Sequence, residues 1–247
     1  MSLADPQRYK EDFRQHGYFV LPSAFAQECI AELADELDRV QQQLRAQSAQ
    51  RGKILGGWAI SRLQQRSPLF ADFIKDPVFA QLCQLLIGPD ADLFWSVGAI
   101  KAAQTGKAFR WHQDSGYGTT EPLEYITCWT ALDRTTRENG CLWVIPGSHR
   151  AGLIGHASEK ESERAYPGVE ADPQDRERAV PLEMAPGQVA VLSSLVLHKS
   201  EPNRPAGVRR GLVAAYQRAG FVAHNERGLP QDSCPVLRGG VVSGAGN

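Results

Sequence analysis

"LFWSVGAIKA" occupies residues 93–102 and marks a change of texture in the chain. From here on come short runs rich in β-branched and aromatic residues: "AFRWHQD" (108–114), "YITCWTAL" (125–132), "CLWVIPG" (141–147), "GQVAVLSS" (187–194), "LVLHKS" (195–200) and "RRGLVAAYQ" (209–217). Turn signals separate them, and no strand–helix–strand alternation is visible. Such a pattern predicts an antiparallel sandwich or barrel and not a parallel sheet covered by crossover helices.

Working outward from residue 93, the upstream third has a different rhythm. Residues 5–16 read as a short helix with Pro6 near its start. "GYFVLP" (17–22) reads as a strand ended by Pro22, and Ser23 as the cap of the next helix. In that helix Ile30, Leu33, Leu37, Val40 and Leu44 recur in steps of three and four, the spacing of one apolar face. Segments 68–75 and 77–87 read as two more short helices, stopped by Gly88-Pro89. "ILGGWAI" (54–60) is a glycine-bearing apolar stretch, either a plain turn or a place of close backbone approach. The fold class expected is therefore mainly β with flanking helices. After "PGSH" (146–149) an irregular connection of mixed charge runs to about residue 179. Connections this long are functional lids or solvated excursions. The lid reading expects 155–178 to be more mobile than the strands and to order over a substrate.

Length and composition narrow the function classes. A chain of 247 residues can bury a sizeable core without staples. Its formal charge of −1 and pI near 6.6 give no electrostatic pull toward nucleic acid or an anionic membrane. No signal peptide or membrane-length apolar stretch is visible. The five cysteines are odd in number and contain no C-x-x-C, which points to a reducing, cytoplasmic setting. Cys128 and Cys141 sit in apolar runs and read as small core residues. The partner expected is a small-molecule substrate. Oligomeric state is not readable.

"FRWHQDSGYG" (109–118) carries the chemistry. In an extended chain His112 and Asp114 project from one face, with Trp111 and Gln113 on the other. A surface ion pair and a pair of metal ligands both satisfy that spacing. His198 ends the apolar run "VAVLSSLVLH", where an unpaired imidazole is costly to bury. The turn "SEPNRPAG" predicts a hairpin centred near Asn203-Arg204, which would set Arg209 opposite His198. Two histidines and a carboxylate form the donor set of non-haem Fe(II) oxygenases. A cation beside it suits an anionic co-ligand, since arginine grips carboxylates in bidentate fashion.

With these residues together, the chain resembles the phytanoyl-CoA dioxygenase family of Fe(II)/2-oxoglutarate oxygenases. The likeness rests on "WHQDSGY", on "CWTALDRTTRENGCLWVIPGSHR" (128–150), on "FRQHGYFVLPSAF" (13–25) and on an arginine eleven residues after the distal histidine. It extends from about residue 8 to about residue 218. The resemblance implies a double-stranded β-helix, the jelly-roll variant, in a single domain: a helical part (1–90) packed on the core (91–220), then a C-terminal tail (221–247). It implies that His112, Asp114 and His198 bind Fe(II), and that Arg209 holds the far carboxylate of 2-oxoglutarate with help from Ser200. Trp129 would wall that pocket. Lys101 matches a lysine common in the family, although the prolines that usually follow it are here Ala102 and Ala103.

The activity implied is hydroxylation of an unactivated C–H with O2, 2-oxoglutarate being decarboxylated to succinate and CO2. Related halogenases have a small residue where Asp114 stands, so Asp114 favours hydroxylation. Candidate substrate contacts are Trp58, Arg110, Gln113 and Tyr117, each of which also has a scaffold reading. Trp95 and Trp143 read as core. Two other classes share these residues: a jelly-roll Zn(II) or Ni(II) protein that does not turn over 2-oxoglutarate, and a catalytically silent binding module.

Overall fold

The computed structural model describes residues 3–50, 59–104, 108–155, 169, 171–224 and 233–243. In chain order the elements are α1 (Pro6–His16), β1 (Tyr18–Leu21), α2 (Gln27–Gln50), β2 (Ala59–Ser61), α3 (Pro68–Phe73), α4 (Pro77–Leu86), β3 (Ala91–Lys101), β4 (Phe109–His112), β5 (Thr119–Glu121), β6 (Ile126–Ala131), β7 (Leu142–Val144), α5 (Pro173–Glu177), β8 (Val180–Leu182), β9 (Val189–Ser193), β10 (His198–Ser200), β11 (Arg209–Arg218), β12 (Val222–His224), β13 (Cys234–Arg238) and β14 (Val241–Val242).

The strands form a jelly roll, every pairing being antiparallel. A major sheet runs β1-β9-β6-β11-β3-β13-β14, with β2 also on β3, and a minor sheet runs β4-β10-β7-β8. A ribbon pairs β12 with β5. Period-two patterning gives the major sheet two apolar faces. Ile126, Cys128, Val189, Val191, Leu212, Ala214 and Tyr216 face a core shared with the helices. Trp129, Ala131, Ala190, Leu192 and Val213 face the interior between the sheets, meeting Leu142, Val144 and Leu182 of the minor sheet.

The helices form where the sequence supplies caps. Asp5, Ser67 and Asp76 each accept a backbone N–H in the first turn of α1, α3 and α4, with proline following at the helix start. Ile30, Leu33, Leu37 and Val40 of α2 are buried on the major sheet. Leu37 fills the space over Gly98, where a Cβ would come within 2.5 Å of its Cδ1. Burying such a leucine contributes about 1.5–3 kcal/mol. Ser23 is not a cap. It sits at φ 71 in a turn whose next two amides, of Ala24 and Phe25, donate to the Gly187 carbonyl, and α2 starts only at Gln27.

The segment 146–150 has a structural job. Gly147 donates its N–H to the His16 carbonyl at 2.8 Å, and the Arg150 guanidinium donates to the Gln15 carbonyl at 2.7 Å. The His149 ring lies on Gly17, where a Cβ would be 2.5 Å from its Nδ1. Ser148 Oγ accepts the Leu197 N–H at 2.8 Å, just before β10. The end of α1 is thereby tied to the strand that carries His198.

Three expectations change. The hairpin between His198 and Arg209 does not exist: β10 pairs with β4 and β7, whereas β11 pairs with β3 and β6. Residues 201–208 cross from one sheet to the other around the buried Asn203, whose Nδ2 donates to the carbonyls of Lys101, Ala102 and Gly207. Secondly, the chain after residue 220 is more than a tail. Leu237 and Val236 are buried, and β13 extends the major sheet on β3. The part before residue 90 likewise lends β1 and β2 to that sheet. Thirdly, the connection after "PGSH" contains α5, and Val169 donates its N–H to the Trp111 carbonyl on the edge strand β4. Residues 156–168 and 170 of that connection lie outside the described residues, as do Trp58 and most of "ILGGWAI". Among the described residues no helix is long and apolar enough to cross a membrane.

Candidate metal centre and anion pocket

β4 delivers His112 to the interior because its neighbour Trp111 is drawn the other way, into a cluster with Ile145, Leu197 and Ala171. The strand ends at His112, but Gln113 remains extended (φ −113, ψ 139) before a single 3-10 turn begins at Asp114. The i, i+2 relation therefore survives the end of the strand. Across the minor sheet His112 pairs in register with His198, and their ring centroids are 4.1 Å apart.

The three side chains converge. One ligand atom from each of His112, Asp114 and His198 lies within 4.8 Å of the others. Asp114 Oδ1 is 3.9 Å from His112 Nε2 and 3.6 Å from His198 Nε2. All three residues are less than a tenth exposed. Each ring is oriented by the carbonyl two residues before it: His112 Nδ1–H donates to Arg110 at 2.7 Å and His198 Nδ1–H to Val196 at 3.1 Å. That tautomer leaves Nε2 of each ring unprotonated and able to bind a metal, the support that metal-binding imidazoles ordinarily have. The other carboxylate oxygen, Oδ2, accepts a hydrogen bond from Thr127 Oγ1 at 2.7 Å.

A second polar feature lies on the major sheet. Arg209, the first residue of β11, is 3% exposed and pairs in register with Lys101. Its Nη2 donates to the Gly140 carbonyl at 3.3 Å, while Nε and Nη1 are buried with no hydrogen-bond partner among the described residues. The guanidinium carbon is 5.2 Å from the centroid of the Trp129 ring. That ring reaches it because residue 211 is glycine; a Cβ there would be 2.3 Å from the indole. Lys101 Nζ donates to the Glu201 carbonyl at 2.6 Å. Burial, and then the charge of Arg209, push Lys101 down to about 7, and burial pushes Arg209 down to about 10. Ser200 is also buried, two residues beyond His198 on the same face of β10.

β6 connects the two features. Thr127 touches the Asp114 carboxylate and Trp129 touches the Arg209 guanidinium. The two residues share one strand face, about 7 Å apart along it. A buried guanidinium with most of its N–H groups unbonded is expensive without an anion, and a bidentate edge that includes Nη2 suits a carboxylate.

The candidate substrate contacts divide. Tyr117 is 38% exposed with its ring 5.3 Å from that of His112. Arg110 is exposed, but β4 bulges beside it: His112 pairs with His198 and Phe109 with Ser200, so Phe109 and not Arg110 shares the side of His112. Gln113 is not a lining residue: fully buried, it donates to the carbonyls of Leu195 and Gly152 and accepts the Ile154 N–H at 2.7 Å. It locks the turn before His198 to the strand of His112. Trp95 and Trp143 are half-buried and pack against the margins of apolar clusters, short of the core position the sequence suggests. Cys128 and Cys141 are buried, and burial raises both thiols. Sequence reasoning missed Phe109, whose ring is 5.5 Å from that of His112, and Thr127. A hydroxyl facing inward two residues from Trp129 was the available signal for Thr127.

Known proteins resemble this chain in sequence and in fold. Residues 13–211 match the family described as phytanoyl-CoA dioxygenase (PhyH). A "Probable phytanoyl-CoA dioxygenase" of Caenorhabditis elegans is 32% identical over 183 residues, covering 65% of this chain and 55% of that protein. The human "Phytanoyl-CoA dioxygenase, peroxisomal" is 29% identical over 126 residues, or 49% of this chain and 37% of that one. The chain thus spans about half or less of the length of these relatives. Among solved structures, the epimerase SnoN in complex with Fe3+, alpha ketoglutarate and nogalamycin RO superposes with a TM-score of 0.75 at 19% identity, covering 96% of this chain and 94% of that one. EvdO2 from Micromonospora carbonacea var. aurantiaca, complexed with 2-oxoglutarate, gives 0.68 at 23% identity, covering 86% and 91%. At these identities the structural likeness speaks for the jelly-roll fold, and the sequence match carries the family: the chain belongs to the phytanoyl-CoA dioxygenase family.

Proposed function

We propose that the chain is an Fe(II)/2-oxoglutarate-dependent dioxygenase that hydroxylates an unactivated C–H of a small molecule. The observation that carries this reading is the Arg209 guanidinium, buried with two unpartnered nitrogens on the sheet facing the His112–Asp114–His198 cluster. A Zn(II) or Ni(II) protein accounts for the cluster but leaves that cation unexplained.

In this reading His112 Nε2, Asp114 Oδ1 and His198 Nε2 hold the metal. Fe(II) with 2-oxoglutarate and O2 supplies the oxidising power when bound, as 2-oxoglutarate is decarboxylated to succinate and CO2. The chain's own groups do the rest. Arg209 takes the far carboxylate, Lys101 and Ser200 are placed to assist, and the Trp129 ring backs the guanidinium and keeps water from it. Asp114 occupies the third ligand position, which suits hydroxylation more than halogenation. Tyr117, on the exposed side of His112, and the exposed Arg110 are the residues we assign to the substrate. Core cysteines suit a reducing compartment, and we place the activity in the cytoplasm, although the human relative's name says peroxisomal.

The test is 2-oxoglutarate-dependent succinate release by the protein loaded with Fe(II) under air, with a substrate panel to look for stimulation. No succinate from wild type, with or without substrates, at full metal loading would overturn the activity. Succinate that Arg209→Met leaves unchanged would remove Arg209 from its role.

A further inference from the structure

The two oxygens of Asp114 have different surroundings. Oδ1 faces both imidazoles, at 3.6 and 3.9 Å, while Oδ2 accepts the Thr127 hydroxyl at 2.7 Å. Thr127 comes from the opposite sheet. It is 2% exposed on β6, whose flanking Ile126 and Cys128 turn toward the helices. Threonine suits a strand for its branching alone, and Thr130 on the same strand is an example: its Oγ1 is buried with no partner among the described residues. Thr127 differs because its hydroxyl is spent on one carboxylate oxygen.

We propose that Thr127 is a positioning residue that holds Asp114 as a one-oxygen donor. This rests on the reading of His112, Asp114 and His198 as the metal site. A carboxylate hinged only at its own side-chain torsions can swing and offer both oxygens to a metal, occupying a position that other reactants need. The Thr127 hydrogen bond fixes the carboxylate plane and occupies Oδ2, so that Oδ1 alone is presented to the same point as the two Nε2 atoms. Outer hydrogen bonds of this kind typically govern metal affinity by about 10–100-fold. The bond also spans the two sheets, so the metal site is closed by a strand that contributes no ligand to it.

The experiment compares wild type with Thr127→Val, which keeps the shape and removes the hydroxyl, and with Thr127→Ser, which keeps the hydroxyl. Mn(II) and Co(II) are the probes, without 2-oxoglutarate: affinity by calorimetry, and coordination by the visible absorption of the Co(II) form. Thermal unfolding of the metal-free proteins runs alongside. Thr127→Val is expected to bind about tenfold or more weakly with an altered Co(II) spectrum, and Thr127→Ser to stay within about threefold of wild type with its spectrum. Should the valine variant not fold, Thr127→Ala replaces it, and the serine variant must then bind about tenfold more tightly than the alanine one. Equal affinity and equal spectra in hydroxyl-bearing and hydroxyl-free variants would overturn the proposal, as would equal weakening of both. Failure of wild type itself to bind either metal would instead sink the reading of the triad.

Discussion

Replacing Arg209 by methionine should separate two quantities that a structural arginine would keep together. Methionine keeps most of the aliphatic volume over the Trp129 ring and removes the charge. In the free protein Arg209 has one long bond, 3.3 Å to the Gly140 carbonyl, and two buried nitrogens with none. Burial already depresses its pKa to about 10, so the free protein bears a cost for this group. The metal-free, ligand-free variant is therefore expected to unfold at the wild-type temperature or above it. A carboxylate in the pocket gives this under-bonded guanidinium an acceptor. Losing such a buried charge-assisted contact costs about 2–5 kcal/mol, and at 1.4 kcal/mol per decade that is roughly 30- to 4,000-fold in 2-oxoglutarate affinity. Trp129, 5.2 Å from the guanidinium, is a built-in reporter, so quenching of its fluorescence in anaerobic Mn(II)-loaded protein measures binding directly. Mn(II) affinity itself should not change. Wild-type 2-oxoglutarate affinity in the variant, or weaker binding matched by a large loss of apo stability, would refute the reasoning.

Three further outcomes follow from the same geometry. Lys101 is held near 7 by burial and by Arg209, so at pH 8 its amine is mostly neutral in the free protein; an arriving dicarboxylate restores its proton. Calorimetry in buffers of different ionisation enthalpy should show proton uptake on 2-oxoglutarate binding at pH 8, little at pH 6 where the amine is already charged, and none at either pH in Lys101→Met. Gln113→Leu strands two carbonyls and an amide in the interior and should cost about 3 kcal/mol or more in urea unfolding; a loss below about 1 kcal/mol would mean that these bonds are easily replaced by water. Gly211→Ala must push the Trp129 ring aside, so both stability, by about 1–3 kcal/mol, and 2-oxoglutarate affinity should fall; an unshifted indole emission spectrum with normal affinity would contradict that.

How much of this was legible in the sequence differs by the range of the interaction involved. The i, i+2 spacing of His112 and Asp114 and the apolar run ending at His198 were enough to nominate the three side chains, because each depends on local chain direction. Arg209 was nominated from the same stretch but placed wrongly. A turn rich in proline and glycine looks the same whether the chain doubles back in one sheet or crosses to another, and only the burial of Asn203 decides it. Gln113 looked available because glutamine is usually exposed; its three backbone partners lie about forty to eighty residues away. β13 was unreadable for a similar reason. "CPVLR" is short and proline-bearing, and it becomes a strand only because β3 offers an edge.

The crossing at residues 201–208 has a mechanical consequence. His198 and Ser200 belong to one sheet, whereas Arg209, Lys101 and Trp129 belong to the other. A dicarboxylate gripped at the metal by one end and at Arg209 by the other is thus a tie-rod across the gap between two slabs. Loading it should damp any parting of the slabs. Amide hydrogen exchange should slow in β4 and β10 together with the start of β11, as one unit, when 2-oxoglutarate is bound with metal. Metal alone would leave the rod pinned at one end.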